Sequence, residues 1–245
     1  MNKEETDKYY IGETFKLALN GKYTVHPNPM VGAVIVKNGK IMGQGYHLKP
    51  GSPHAEQEAI NDAGKSAHNS TLYINLEPCC HYGRTPPCSD LIIRSKIKRV
   101  VVSSLDPNPV VNGKSIEQLK RSGIEVKIGV LKDDAIKLNQ GFFNKFLLKR
   151  PSVTCKSGIS LDGKISLSNG SSKWITSEES RQDVQMERSI ASLIFSSSKT
   201  VILDDPSLNV RDPLLLKKIL KQPDLAIVDT RFMCFKFCAF DKPIQ

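Results

Sequence analysis

Residues 31–63 read VGAVIVKNGKIMGQGYHLKPGSPHAEQEAINDA, and this run decides the fold. Val31 to Val36 is a β-rich apolar stretch. Asn38-Gly39, the strongest short hairpin signal, returns the chain as a second strand over Lys40 to Tyr46. His54 to Ala63 has helix-forming composition and stops at Gly64, the residue type that favours the position just past a helix end.

Outward from there, Asp7 to Leu19 spaces its apolar residues as a helix does. Downstream, Thr71 to Leu76 is expected as a strand, Cys88 to Ile97 as a helix and Arg99 to Ser103 as a buried-type strand. A helix over Ser115 to Arg121, a strand over Ile124 to Val130 and one helix from Lys132 into Phe146 follow. Strands alternating with helices after an opening hairpin predict an α/β domain of three layers. Arg150-Pro151 marks a boundary, and a new strand is expected over Ser152 to Cys155. A chain of 245 residues suits two domains, here 1–147 and 151–245.

Apolar residues make up 39% of the chain, enough to fill cores. No run approaches the ~18–20 apolar residues of a membrane span, and the opening MNKEETDKYY has no apolar signal region after it. A soluble, cytoplasmic protein with no membrane partner is expected. The net charge of +10 raises the question of nucleic acid. Lys is spread along the chain without a block of five like charges, so no nucleic-acid partner is expected; a small phosphorylated substrate would profit from the same field.

The chemistry sits in two pieces, Pro53-His54-Ala55-Glu56 and the run EPCCHYGRTPPC over Glu77 to Cys88. Cys79, Cys80 and Cys88 cluster beside His81, which suits a metal better than a disulfide framework. One imidazole and two thiolates make three protein ligands and leave zinc's fourth position to water, whose pKa the metal lowers toward neutrality. Glu56, two residues from His54 at a helix start, is placed to move protons without ligating. Cys88 falls where a helix should begin, and the unpaired N–H groups there favour a thiolate. Zinc nucleobase deaminases pair H-x-E with P-C-x-x-C; here the first half fits, but Cys79 and Cys88 are nine apart. The competing reading is a structural zinc knot closed by Cys80 or His81, against which Glu56 beside His54 speaks for catalysis. His26, His47 and His68 read as ordinary histidines, though His47 follows the second hairpin strand and has a route to the pocket.

The runs TVHPNPMVGAVIV (Thr24 to Val36), GYH (Gly45 to His47), PHAE (Pro53 to Glu56), LEPCCHYGRTPPC (Leu76 to Cys88) and DPNP (Asp106 to Pro109) together resemble the bifunctional riboflavin-biosynthesis deaminase/reductase family, whose motif has this wide cysteine spacing. The resemblance implies a cytidine-deaminase-like three-layer α/β/α domain over 1–147. It implies hydrolysis of the ring amine of 2,5-diamino-6-(5-phosphoribosylamino)pyrimidin-4-one, a small phosphorylated pyrimidine, to the aminouracil. Carried over, His54, Cys79 and Cys88 hold Zn²⁺, Glu56 shuttles the proton and Asn28 hydrogen-bonds the substrate. Asn28-Pro29 is also simply a good turn former. A homo-oligomer is implied as well.

From Arg150 on, RPSVTCKSGISLDGKISLSNGSSKWITS and TVILDDPSLNVR (Thr200 to Arg211) resemble the family's dihydrofolate-reductase-like α/β domain, which uses NADPH to reduce the ribose. The resemblance assigns cofactor contacts to Gly158, Trp174, Thr200, Asp204 and Thr230, and substrate contacts to Ser172, Arg188, Leu208 and Arg211. Arginines are natural phosphate clamps. Against these stand plainer readings: Trp174 as core, Asp204-Asp205-Pro206 as a turn. Lys199 stands where a small residue is usual and Ser192 where relatives carry an acid. The tail after Thr230, RFMCFKFCAFDKPIQ, departs from the family, and Cys234 and Cys238 read as accidental thiols. The second domain is thus expected to be incomplete and its reductase activity impaired. A nucleic-acid zinc deaminase of the tRNA-adenosine type and a non-catalytic zinc scaffold are the alternatives to the first domain's reading.

Overall fold

A computed structural model of the chain describes residues 2–82 and 86–232. Cys234 and Cys238 lie outside these residues, as do Gly83 to Thr85 of the cysteine run. The chain divides into two compact units, 1–153 and 154–245.

The first unit is a five-stranded sheet between two helical layers. Its strands are β1 (Gly32–Lys37), β2 (Lys40–Tyr46), β3 (Thr71–Leu76), β4 (Arg99–Ser104) and β5 (Glu125–Ile128), in the order β2-β1-β3-β4-β5. The hairpin forms as expected: Lys37 pairs with Lys40 across a two-residue turn in which Asn38 and Gly39 have φ of 52° and 72°, the left-handed pair that a tight hairpin needs. β3 runs antiparallel to β1, whereas β4 and β5 continue parallel, so both crossovers require helices.

Alternate residues of the central strands enter opposite cores, as the two-residue period of a strand dictates. Ala33, Ile35, Leu72, Ile74, Val100 and Val102 pack against one layer, formed by α2 (Ala55–Ala63), α3 (Cys88–Arg94) and α4 (Lys114–Arg121). Val34, Val36, Tyr73 and Val101 face the other, with Tyr10 and Ile11 of α1 (Lys3–Ala18). α2 lies close on β2 because Gly43 and Gly45 lack side chains. A Cβ at Gly43 would stand 2.4 Å from the Ala59 carbonyl oxygen, and one at Gly45 2.5 Å from that of Ala55. That close approach sets the height at which α2 presents its first residues.

Beneath the α1 layer sits a buried ion cluster. Asp7 receives Arg99 Nη1 and Nη2 at 2.7 and 2.8 Å, Lys127 Nζ at 2.9 Å and the Tyr73 hydroxyl at 3.1 Å. Burial alone would raise the Asp7 carboxyl, but the hydrogen bonds from Arg99 and Lys127 outweigh it and bring it to about 2. Burial, with the Asp7 charge beside it, pushes the Tyr73 hydroxyl up.

Two expectations are corrected. The helix expected from Lys132 into Phe146 is two, α5 (Lys132–Leu138) and α6 (Gln140–Leu147), broken at Asn139, whose φ of −114° and ψ of 32° are not helical. No strand forms over Ser152 to Cys155; these residues are exposed and irregular, with no ladder partner among the described residues to satisfy their backbone groups. Elsewhere boundaries move by a few residues: α1 starts earlier, and α3 ends at Arg94 rather than Ile97.

The second unit holds α7 (Glu178–Ile190), β6 (Leu193–Ser197), α8 (Ser198–Asp204), α9 (Pro213–Leu216) and β7 (Asp224–Val228), with β6 and β7 paired in parallel. Its helix starts are marked in sequence. Ser177, Ser197 and Asp212 each cap the helix that follows with a side-chain oxygen. Among the described residues no helix is long and apolar enough to cross a membrane.

Candidate metal centre and surrounding pocket

The C-terminal ends of β3 and β4 and the N-termini of α2 and α3 converge, the crevice where open α/β sheets bind ligands. His54 is the extended residue that caps α2, with φ −79° and ψ 162°. Cys79 follows β3 after Glu77-Pro78, and Cys88 is the first residue of α3, with Pro87 as its cap. The expected helix start at Cys88 is therefore present.

His54 Nδ1 lies 3.5 Å from Cys79 Sγ and 3.3 Å from Cys88 Sγ, and the three ligand atoms are all within 4.8 Å of one another. Four-coordinate zinc with Zn–N of ~2.1 Å and Zn–S of ~2.3 Å has ligand–ligand edges of about 3.6 Å. The donor set fits such an ion in both chemistry and spacing. The Cys88 backbone N–H also points at Cys79 Sγ, at 3.4 Å. A hydrogen bond from Cys88 brings Cys79 down to about 4 against its burial. Cys88 is raised in turn by holding that proton and by burial. Both thiols give up their protons when they hold a dication.

Neither candidate for a fourth protein ligand joins this group among the described residues. Cys80 Sγ faces the Val110 carbonyl oxygen at 3.9 Å, and His81 is exposed. The closed, purely structural knot is not what these residues build.

Glu56 is 3% exposed. Burial, aided by the charge of Cys79, raises its carboxyl to about 7, and it lies in hydrogen-bonding contact with Cys88. A carboxyl that titrates near neutrality is suited to taking and returning a proton. Asn28 arrives from the loop before β1, its Nδ2 2.9 Å from His47 Nε2. His47 Nδ1 meets the Pro53 carbonyl oxygen at 3.1 Å, and its ring centre is 5.3 Å from that of His54. A donor at Nδ1 and an acceptor at Nε2 make His47 the neutral tautomer, in line with its lowered pKa from burial. Of the two readings the sequence left for His47, an ordinary histidine or one with a route to the pocket, its contacts with Asn28 and His54 fit the second.

Two further groups went unread in sequence. Glu77 Oε2 accepts from the backbone N–H groups of Asp106 (3.2 Å) and Gly113 (2.9 Å), and Oε1 from the Ser115 hydroxyl (2.8 Å). It ties the DPNP loop to the strand end that carries Cys79. Burial raises Asp106, within that loop, to about 6. Asn75 and Asn139 bind the backbone of Met30, near Asn28.

In the second unit, Arg188 and Arg211 come together on Asn209. Arg188 Nη1 donates to its carbonyl oxygen at 3.1 Å and Arg211 Nη1 to its side chain at 3.3 Å. Burial and the nearby Arg211 charge lower the Arg188 pKa. Trp174 is not core: it is 71% exposed, with the Arg181 guanidinium 4.5 Å from its ring centre. Thr200 lies in the first turn of α8, its N–H 3.3 Å from Ser197 Oγ, and Asp204 ends that helix. Gly158 and Ser172 are half-buried, as is Leu208, and Thr230 is exposed in a turn.

Residues 4–104 match the profile of the cytidine and deoxycytidylate deaminase zinc-binding region, and 151–235 that of the RibD C-terminal domain. The chain is 53% identical to the riboflavin biosynthesis protein RibD of Aquifex aeolicus over 84% of its length, covering 58% of that protein. It is 44% identical to RibD of Escherichia coli over 92% of its length, covering 64% of it. Among solved structures, Acinetobacter baumannii RibD is similar at 44% identity and a TM-score of 0.89, over 94% of this chain and 65% of that one. The chain spans about three fifths of the length of these curated relatives.

Proposed function

We infer that the chain belongs to the RibD family, whose riboflavin biosynthesis proteins it matches over about three fifths of their length, and propose that residues 1–147 are a zinc-dependent hydrolytic deaminase. Its substrate is 2,5-diamino-6-(5-phosphoribosylamino)pyrimidin-4-one and its product 5-amino-6-(5-phosphoribosylamino)uracil. The observation that carries this is the open-sided His54, Cys79 and Cys88 set with buried Glu56 against it.

Zinc, when bound, lowers the pKa of a water toward neutrality and polarises it for attack. His54, Cys79 and Cys88 hold the metal, and α2 and α3 fix their approach. Glu56 accepts a proton of the attacking water and delivers it to the adjacent ring nitrogen, then carries the remaining hydroxyl proton to the amine as the ring carbonyl forms. The new bond is carbon to oxygen, the broken one carbon to nitrogen, and the amine departs as ammonia. Asn28 spends its Nδ2 on His47, which leaves its carbonyl oxygen to accept from the substrate ring. The matches to RibD proteins favour this small-molecule reading over nucleic-acid editing and over an inert scaffold.

Residues 151–245 are proposed to be the N-terminal part of an NADPH-dependent reductase domain, with Gly158, Trp174, Thr200, Asp204 and Thr230 toward the cofactor. Ser172, Arg188, Leu208 and Arg211 are proposed to face the phosphorylated substrate. The convergence of Arg188 and Arg211 on Asn209 supports a phosphate there. A homo-oligomer is the proposed assembly.

The test is ammonia release from the diaminopyrimidine phosphate by chain carrying one zinc. Absence of release at full zinc occupancy overturns the deaminase assignment; NADPH titrated by calorimetry, with no heat of binding, overturns the second.

A further inference from the structure

We propose that Asn139 and Asn75 are positioning residues of the deamination site, acting as a two-sided clamp on the Met30 peptide that holds Asn28 toward the substrate. The proposal rests on the deaminase reading above. Met30 N–H donates to Asn139 Oδ1 at 2.8 Å, and Asn139 Nδ2 returns a bond to the Met30 carbonyl oxygen at 2.9 Å. The side-chain amide thus pairs with a peptide as a neighbouring strand would. From the other side, Asn75 Nδ2 reaches the same carbonyl oxygen at 3.0 Å, while its Oδ1 takes the Gly32 N–H at 2.9 Å.

Asn75 is fully buried and Asn139 nearly so. Burying an amide costs free energy unless it is fully bonded, and Asn139 also interrupts a helix. A continuous helix with an apolar residue at 139 would serve the core equally well. What the two amides provide is a fixed Met30 peptide in a segment with no regular structure of its own. Between Met30 and Asn28 stands Pro29, whose ring locks φ, so the orientation of the Met30 peptide is passed along a stiff link. Asn28 is held from its own side by its N–H on the Val25 carbonyl oxygen at 2.9 Å and by His47. Asn139, between α5 and α6, lies on none of the elements that carry His54, Cys79 and Cys88, whereas Asn75 sits in β3, which leads to Cys79; the test therefore substitutes Asn139.

The experiment is a double-mutant cycle on zinc-loaded chain, N28A with N139A, read as kcat and KM for the diaminopyrimidine phosphate. Each single substitution is expected to raise KM about tenfold with zinc content unchanged and kcat within about threefold. The pair is expected to stay within about twofold of N28A alone, because residues acting through one group are not additive. V101A, in the core of the opposite sheet face, is the control: it lowers thermal stability and leaves KM within about twofold. If N139A proves unstable, N139D replaces it; it keeps the acceptor for Met30 N–H and removes the donor. An unmoved KM in the Asn139 variant, or a KM for the pair that multiplies the two singles, overturns the clamp. An inactive zinc-loaded wild type overturns the deaminase reading instead.

Discussion

His54 Nδ1 and Cys88 Sγ stand 3.3 Å apart across 34 residues of sequence. Two helix starts bring them there: His54 caps α2 in an extended conformation, and Cys88 is the first residue of α3, behind Pro87 as its cap. Glu56, the second residue of α2, is buried beside them, on a helix that Gly43 and Gly45 let down onto β2.

Glu56→Gln keeps the shape of the side chain and removes its capacity to carry a proton. Zinc content is expected to stay at one per chain while turnover falls by about 10²–10⁴-fold, the usual worth of a positioned acid–base group. Metal analysis alongside ammonia release checks it. Turnover within a few-fold of wild type would remove Glu56 from the mechanism.

The two neighbouring cysteines should behave oppositely. Cys88→Ser takes a sulfur from the ligand set and is expected to release zinc and abolish turnover, as will a strong chelator on the wild type. Cys80→Ser removes a sulfur that faces the Val110 carbonyl oxygen and is expected to keep both zinc and activity. Zinc loss from C80S would place Cys80 in the coordination sphere after all.

The pattern of success in reading the sequence follows from how local each signal is. The hairpin at Asn38-Gly39, the stop at Gly64 and the helix start at Cys88 depend on residues within a few positions of one another, and all three are present. The break at Asn139 depends on Met30, 109 residues away, so periodicity ran one helix through it. His47 became part of the site only once β2 placed it between Asn28 and Pro53. Glu77 drew no reading in the cysteine run because its partners, Asp106, Gly113 and Ser115, lie 29 to 38 residues on.

Asp7 should give the first unit a distinct acid response. Its carboxyl titrates at about 2 when folded against 3.8 ordinarily, so the folded state binds its proton more weakly than the unfolded chain. That stabilisation, about 2 kcal/mol, is complete above pH ~4 and fades as pH falls toward ~2. Asp7→Asn leaves the buried Arg99 with Glu125 as its remaining carboxylate. It is expected to cost about 3 kcal/mol at neutral pH, the usual penalty for breaking a buried pair, and to narrow its deficit below pH ~4. Urea unfolding across pH measures this; a deficit constant down to pH ~2 would contradict the assignment.

Glu77 is the sharper test of the loop over the site, because two substitutions separate charge from geometry. In Glu77→Gln the amide oxygen can take the place of Oε2 and accept from Asp106 and Gly113 N–H, while the new NH₂ faces the Ser115 hydroxyl. A hydroxyl rotates to accept as readily as it donates, so all three contacts survive in altered form and about 1 kcal/mol is lost, the charge assistance alone. Glu77→Ala leaves two buried N–H groups and a hydroxyl unmet and is expected to cost about 3 kcal/mol or more. The loss should also show as faster amide exchange at Asp106 and Gly113. Equal destabilisation by both variants would mean that the carboxylate charge, and not the arrangement of acceptors, holds the loop down.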